Sequence, residues 1–137
     1  MTHCVLAILL VAALLQRTDG ASTQLYETLR SAHIFSLGGV GITGKRTPEE
    51  NAYDAQIHNP DAEQQFRRLL AEPNTSAAGR LYALYGLRQL RVRDYWALTR
   101  PYRHDHTVVE IAFACMVGRD EVCELLRTYV NRAYALK

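Results

Sequence analysis

The chain opens on an unbroken apolar run, Cys4 to Leu15, and thereafter alternates short apolar stripes with polar breaks. Twelve residues is the length of a signal-peptide core and falls short of the roughly 20 that a membrane-spanning helix needs. Gly20 and Ala21 supply small residues for cleavage, with Thr18 three positions before the cut. The pattern predicts a leader over 1–20 and one helical domain over 21–137. Within it, 21–46 form an N-terminal helix and a Gly-rich loop, and 47–137 form helical pairs. Met1-Thr2-His3 contains no Lys or Arg, and the alternative to a leader is a buried N-terminal helix. No cysteine directly follows the run, so a lipid anchor has no attachment site.

Helical spacing recurs through the rest of the chain. Leu25, Tyr26 and Leu29 give a first stripe over Ser22 to Ala32. Thr47, Pro48 and Glu50 form a capping box that starts a second helix. Asn59-Pro60 repeats the start signal before the stripe Phe66, Leu69 and Leu70. After Pro73-Asn74-Thr75-Ser76, the residues Leu81, Leu84, Tyr85, Leu87 and Leu90 spread around a helix that predicts burial on more than one side. A short helix follows over Asp94 to Tyr102. Thr107-Val108-Val109-Glu110 reads as another capping box, opening an apolar helix over Val108 to Val117 that Gly118 stops. Asp120-Glu121 starts a last helix with Val122, Leu125, Leu126, Tyr129 and Val130 inward.

Two stretches match at an offset of 27: Asp94, Tyr95, Leu98, Arg100 and Tyr102 with Glu121, Val122, Leu125, Arg127 and Tyr129. A period near 30 built from helix pairs suits an α-solenoid. The expected fold is therefore all-α, with short antiparallel helix pairs in a HEAT-like right-handed stack and a Gly-rich loop near the N-terminus. The segments "GGVG" (38–41) and "GRLYALYGL" (79–87) resemble small exported bacterial proteins of unknown function with such a repeat. The resemblance covers about two thirds of the mature chain and carries no functional residues, because its motifs are structural.

Composition narrows the function classes. The chain has 137 residues, is 48% hydrophobic, and carries a net charge of +2. That is one domain's length, too apolar for disorder and too neutral for a dedicated nucleic-acid or membrane-surface binder. Three cysteines are too few for a disulfide scaffold. Loss of the leader leaves Cys115 and Cys123, for which two readings stand. They form a disulfide if one ends a helix and the other begins the next, or they are two small buried hydrophobes.

Charge is segregated. Glu49 to Glu72 holds six acidic groups, whereas Arg80 to Arg103 holds six arginines against Asp94 alone, with five of the twelve aromatics among them. Arg, Tyr and Trp are common interface anchors. The alternative places Tyr82, Tyr85 and Trp96 in the core and pairs the arginines with the acidic helices. The candidate partner-binding residues are Arg80, Arg88, Arg91, Trp96 and Arg100.

Other chemistry has weaker grounds. Gly39, Gly41 and Gly44 satisfy G-x-G-x-x-G, but no helix opens at the last glycine. A phosphate loop would need Ser or Thr after Gly44-Lys45, where Arg46 stands. His104-Asp105-His106 lacks the further ligands of a zinc site and reads as a solvated loop. No nucleophile motif occurs. The expectation is an exported, periplasmic or secreted, non-catalytic binding or scaffold protein that docks a protein partner. It is expected to have no catalytic residues, cofactor, metal, nucleic acid or stable membrane insertion. The alternative is an inhibitor or immunity-type protein acting on an extracytoplasmic enzyme through the loop Ser36 to Arg46.

Overall fold

The computed structural model describes residues 20–132, so the expected leader lies outside the described residues apart from Gly20. Helices form at the Thr47 cap and over the apolar stripes between residues 20 and 99. Helix α1 covers residues 20–30, α2 Pro48–Ile57, α3 Ala62–Ala71, α4 Ala77–Gln89 and α5 Tyr95–Thr99. At the start of α2 the Thr47 hydroxyl accepts from the Glu50 amide at 3.1 Å, and at the start of α4 the Ser76 hydroxyl accepts from the Gly79 amide at 3.0 Å. Asn59-Pro60 forms a turn, and α3 begins two residues later than that signal suggested.

The all-α expectation fails at both ends of this helical block. Strand β1 (Ile34–Val40) pairs parallel with β2 (Val108–Ala114), and β2 pairs antiparallel with β3 (Met116–Glu121). The fold is mixed α/β: a three-stranded sheet in the order β1-β2-β3, with α2 to α5 forming the connection between its parallel strands. After β3 comes α6 (Val122–Leu125), which runs into a single π-helical turn, Leu126–Val130.

The segment read as the helix 108–117 is a strand and the start of a hairpin. A short apolar run fits a buried helix or a buried strand equally well, and its β-branched residues decide for the strand. Val109 and Ile111 face the core while Val108 and Glu110 are exposed, a period of two. Glu110, the supposed capping partner of Thr107, pairs across the strands with Arg119 at 3.1 Å. Ala114 takes φ +52° and turns the chain, so that Phe113 lies opposite Met116. Gly118 therefore sits inside β3, opposite Ile111, and stops no helix. The HEAT-like repeat goes with it, since 94–102 is helical while its match at 121–129 begins on a strand end.

The glycine segment is mostly strand, with a bulge between Ser36 and Val40. Gly38 and Gly39 have φ of +83° and +79°, a conformation in which successive amides make an anion-binding concavity. Glu50 fills it. Its carboxylate is only 2% exposed and accepts from Gly38 N–H at 2.7 Å and from Gly39 N–H at 3.0 Å. A Cβ on Gly39 would also collide with the Gly44 carbonyl.

Helix α4 is the centre of the core, with Leu81, Tyr82, Leu84 and Leu87 fully buried. Gly86 lets the Phe66 ring of α3 approach its backbone, and the Tyr82 ring meets Phe35 edge-on at 4.9 Å. Arg67 on α3 makes a bidentate pair with Asp94, at 2.8 and 2.6 Å.

Glu50→Ala takes the acceptor from the buried Gly39 amide and from the more exposed Gly38 amide, and should lower the unfolding free energy by about 1–3 kcal/mol. Urea denaturation measures this. Glu50→Gln keeps an accepting oxygen and should lose less. Burial also raises the phenols of Tyr53, Tyr82 and Tyr95 above their ordinary value. A phenol raised in this way stabilises the fold below its unfolded pKa of about 10, and the stability is lost as pH climbs beyond that. In an ultraviolet titration these three of the eight tyrosines should ionise only as the protein unfolds.

Candidate functional site

Past the ends of β2 and β3, two further backbone bonds tie residues 105–107 to the start of α6. Val122 N–H donates to the Thr107 carbonyl at 3.0 Å, and Cys123 N–H to the Asp105 carbonyl at 2.9 Å. Val108 lies opposite Glu121. Cys123 is the second residue of α6, and its amide bond to Asp105 sets its side chain beside His106. Three side chains thereby meet. His106 Nδ1 lies 2.6 Å from Glu121 Oε2, Cys123 Sγ lies 3.5 Å from the same oxygen, and Sγ lies 3.8 Å from Nδ1.

The cluster borders a cleft of about 470 Å³ whose walls include Trp96, Arg103, His104, Leu126 and Arg127. Its electrostatics are mutual. The Glu121 carboxylate raises the His106 imidazole above its ordinary pKa. The hydrogen bonds from His106 and then Cys123 hold the Glu121 carboxyl below the usual carboxylate range. Burial, and after it Glu121, pushes the Cys123 thiol up, so at neutral pH it stays a thiol instead of an activated thiolate. Carboxylate and sulfur both approach Nδ1. A nucleophile relay needs them on opposite ring nitrogens, so these three do not form one.

The five candidate partner residues differ in exposure and in what they touch. Trp96 is 50% exposed on α5, at the rim of the cleft. The Arg88 guanidinium lies 5.0 Å from its ring centroid and 5.3 Å from that of Tyr95, which holds the indole in a cation–π arrangement. Arg91 and Arg100 are exposed just beyond α4 and α5. Arg80 is half-buried, two turns along α4 from Arg88, and donates to the Pro73 carbonyl at 3.1 Å. Tyr82 and Tyr95 are core, whereas Trp96 is not.

Cys115 and Cys123 are both free. Cys115 is exposed in the hairpin turn and Cys123 lies past the far end of β3. The six residues of β3 between them span about 20 Å of extended chain, some three times the Cα separation a disulfide bridges. Because Cys115 is exposed, the reading of two buried hydrophobes fails for it as well. The loop 36–46 bends back through a bridge between Val40 and Lys45, and Ile42 at its tip is 99% exposed. The amides of Gly38 and Gly39 that a phosphate would need are taken by Glu50.

Spacing singles out His104 and His106, and Cys123 stands out as a disulfide candidate, but nothing in the sequence pattern joins Glu121 and Cys123 to His106. The nearest signal is the β-branched run at 107–111, which favours a strand over a helix. Reading that run as a helix hid it.

No family model, curated protein or solved structure matches the chain. No helix among the described residues is long and apolar enough to cross a membrane.

Iodoacetamide, with no reductant added, should label both Cys115 and Cys123, and Cys115 first. Peptide mapping by mass spectrometry distinguishes them from Cys4. Recovery of a 115–123 disulfide peptide would contradict the strand between them.

Proposed function

We propose that the chain is a non-catalytic binding protein, acting outside the cytoplasm, that docks a protein partner at the cleft beside Trp96. The observation that carries this reading is the indole itself, half-exposed yet held by Arg88 at the rim of a cleft. An aromatic anchor fixed before binding loses little side-chain entropy on association, which is what interface anchors require. Arg103 and Arg127 border the same cleft, with Arg127 paired to Glu124. They favour a partner segment with an acidic residue beside an apolar one.

The inhibitor reading has its own support. Ile42 projects, fully exposed, from a turn in which Gly41 and Gly44 both hold positive φ, a shape that can enter a pocket of a target enzyme.

Affinity capture from an envelope or secreted fraction separates the two. A partner bound by the wild-type chain should be lost with Trp96→Ala or Arg103→Glu and kept with Ile42→Asp. The opposite result would move the binding surface to the 41–44 turn. Capture unchanged by all three variants would refute both readings.

A further inference from the structure

We infer that His106, Glu121 and Cys123 bind one divalent metal ion of the zinc class. The inference goes beyond the docking reading and stands without it, because it rests on three donor atoms and not on Trp96.

The first ground is distance. Nδ1, Oε2 and Sγ lie within 4.8 Å of one another. Zinc bonds of about 2.0–2.3 Å in a tetrahedron place ligand atoms roughly 3.3–3.8 Å apart. The Sγ–Oε2 and Sγ–Nδ1 separations, 3.5 and 3.8 Å, already have that value. The 2.6 Å separation of Nδ1 and Oε2 is a hydrogen bond that an ion would replace, opening the edge by less than about 1 Å.

The second ground is direction. The same arrangement that prevents a nucleophile relay makes a ligand set, since the sulfur and the carboxylate converge on one ring nitrogen. The third is chemistry. Thiolate and imidazole select zinc-class ions over magnesium and calcium, which take oxygen ligands. The fourth is rigidity. The backbone bonds from Cys123 N–H to Asp105 and from Val122 N–H to Thr107 fix both ligand-bearing segments, so little ordering remains to be done on binding.

Three protein ligands leave a fourth position. The His106 side chain is 71% exposed, so that position opens to the cleft and takes water or a group from a bound partner. On binding, the Cys123 thiol gives its proton to solvent and the neutral imidazole carries its remaining proton on Nε2. The thiolate and the carboxylate then balance the two charges of the ion. Arg127, the nearest competing cation on the same helical segment, is already paired with Glu124.

The test uses the full chain with Cys4→Ser and Cys115→Ser, so that Cys123 is the one thiol, stripped with a chelator. Titration with Co²⁺ should give one ion per chain, with tetrahedral ligand-field bands and thiolate-to-cobalt charge-transfer absorption. Calorimetry with Zn²⁺ should show the same stoichiometry. Cys123→Ser should abolish the charge-transfer band. His106→Ala and the near-isosteric Glu121→Gln should each weaken Zn²⁺ binding by more than the about 10–100-fold that losing a supporting residue costs. Trp96→Ala should leave metal binding unchanged, which keeps this result apart from the docking test. Absence of saturable binding, charge transfer that survives Cys123→Ser, or an affinity indifferent to His106→Ala would each overturn the proposal.

Discussion

A buried phenol ties β1 to the central helix, and the position of every later element depends on it. Tyr82 Oη accepts from Ser36 N–H at 3.0 Å and donates to the Ser36 carbonyl at 3.1 Å. Inside the core such bonds have no water to replace them, so both partners lock. Phe35, the next residue on the strand, packs against the same ring. With β1 fixed on α4, β2 can pair parallel to it and cover Val109 and Ile111, and β3 can then fold back on β2. The Gly38-Gly39 bend, held by Glu50, fastens the same strand to α2.

Glu50 thus has two positions to satisfy at once. Its amide completes the Thr47 cap, while its carboxylate neutralises the donors that the bulge in β1 exposes. A capping-box glutamate ordinarily turns back to its own helix. Here the glycine backbone is the better partner, because its two amides converge on a glutamate that is itself buried. The cluster of glycines is accordingly a device for joining a strand to a helix. Phosphate binding would have required those same amides.

Helices α2, α3 and α4 were legible because caps and a stripe of apolar residues are local signals. Pairing of strands is not local. β1 and β2 are joined by the whole helical block, and nothing near Ile34 announces Glu110 as its neighbour. The run 107–117 carried a capping-box pattern that was accidental, with Thr107 and Glu110 both exposed and Glu110 engaged across the sheet. For the site, His106 could be seen as a metal-capable residue, but its partners come from the far arm of the hairpin and the start of α6. Arg80 looked equivalent to Arg88 because both interrupt the α4 stripe. Their difference comes from what packs beside each: the Pro73 carbonyl for one, Tyr95 and Trp96 for the other.

Core packing and the geometry of the cleft are one constraint, not two. β3 itself buries no residue, so its register against β2 is tied to the hairpin turn and to the apolar residues that follow the strand. Val109 and Ile111 bury one face of β2, and Val122 and Leu125 are buried immediately after β3. In the observed register both sets reach the core together. That register also carries Cys123 to His106: Val122 N–H still bonds to the Thr107 carbonyl, and as the chain turns into α6 Cys123 N–H bonds to the Asp105 carbonyl. A donor set held in this way needs no rigidity of its own, since the turn and the apolar burial that tie the register have already brought its atoms together.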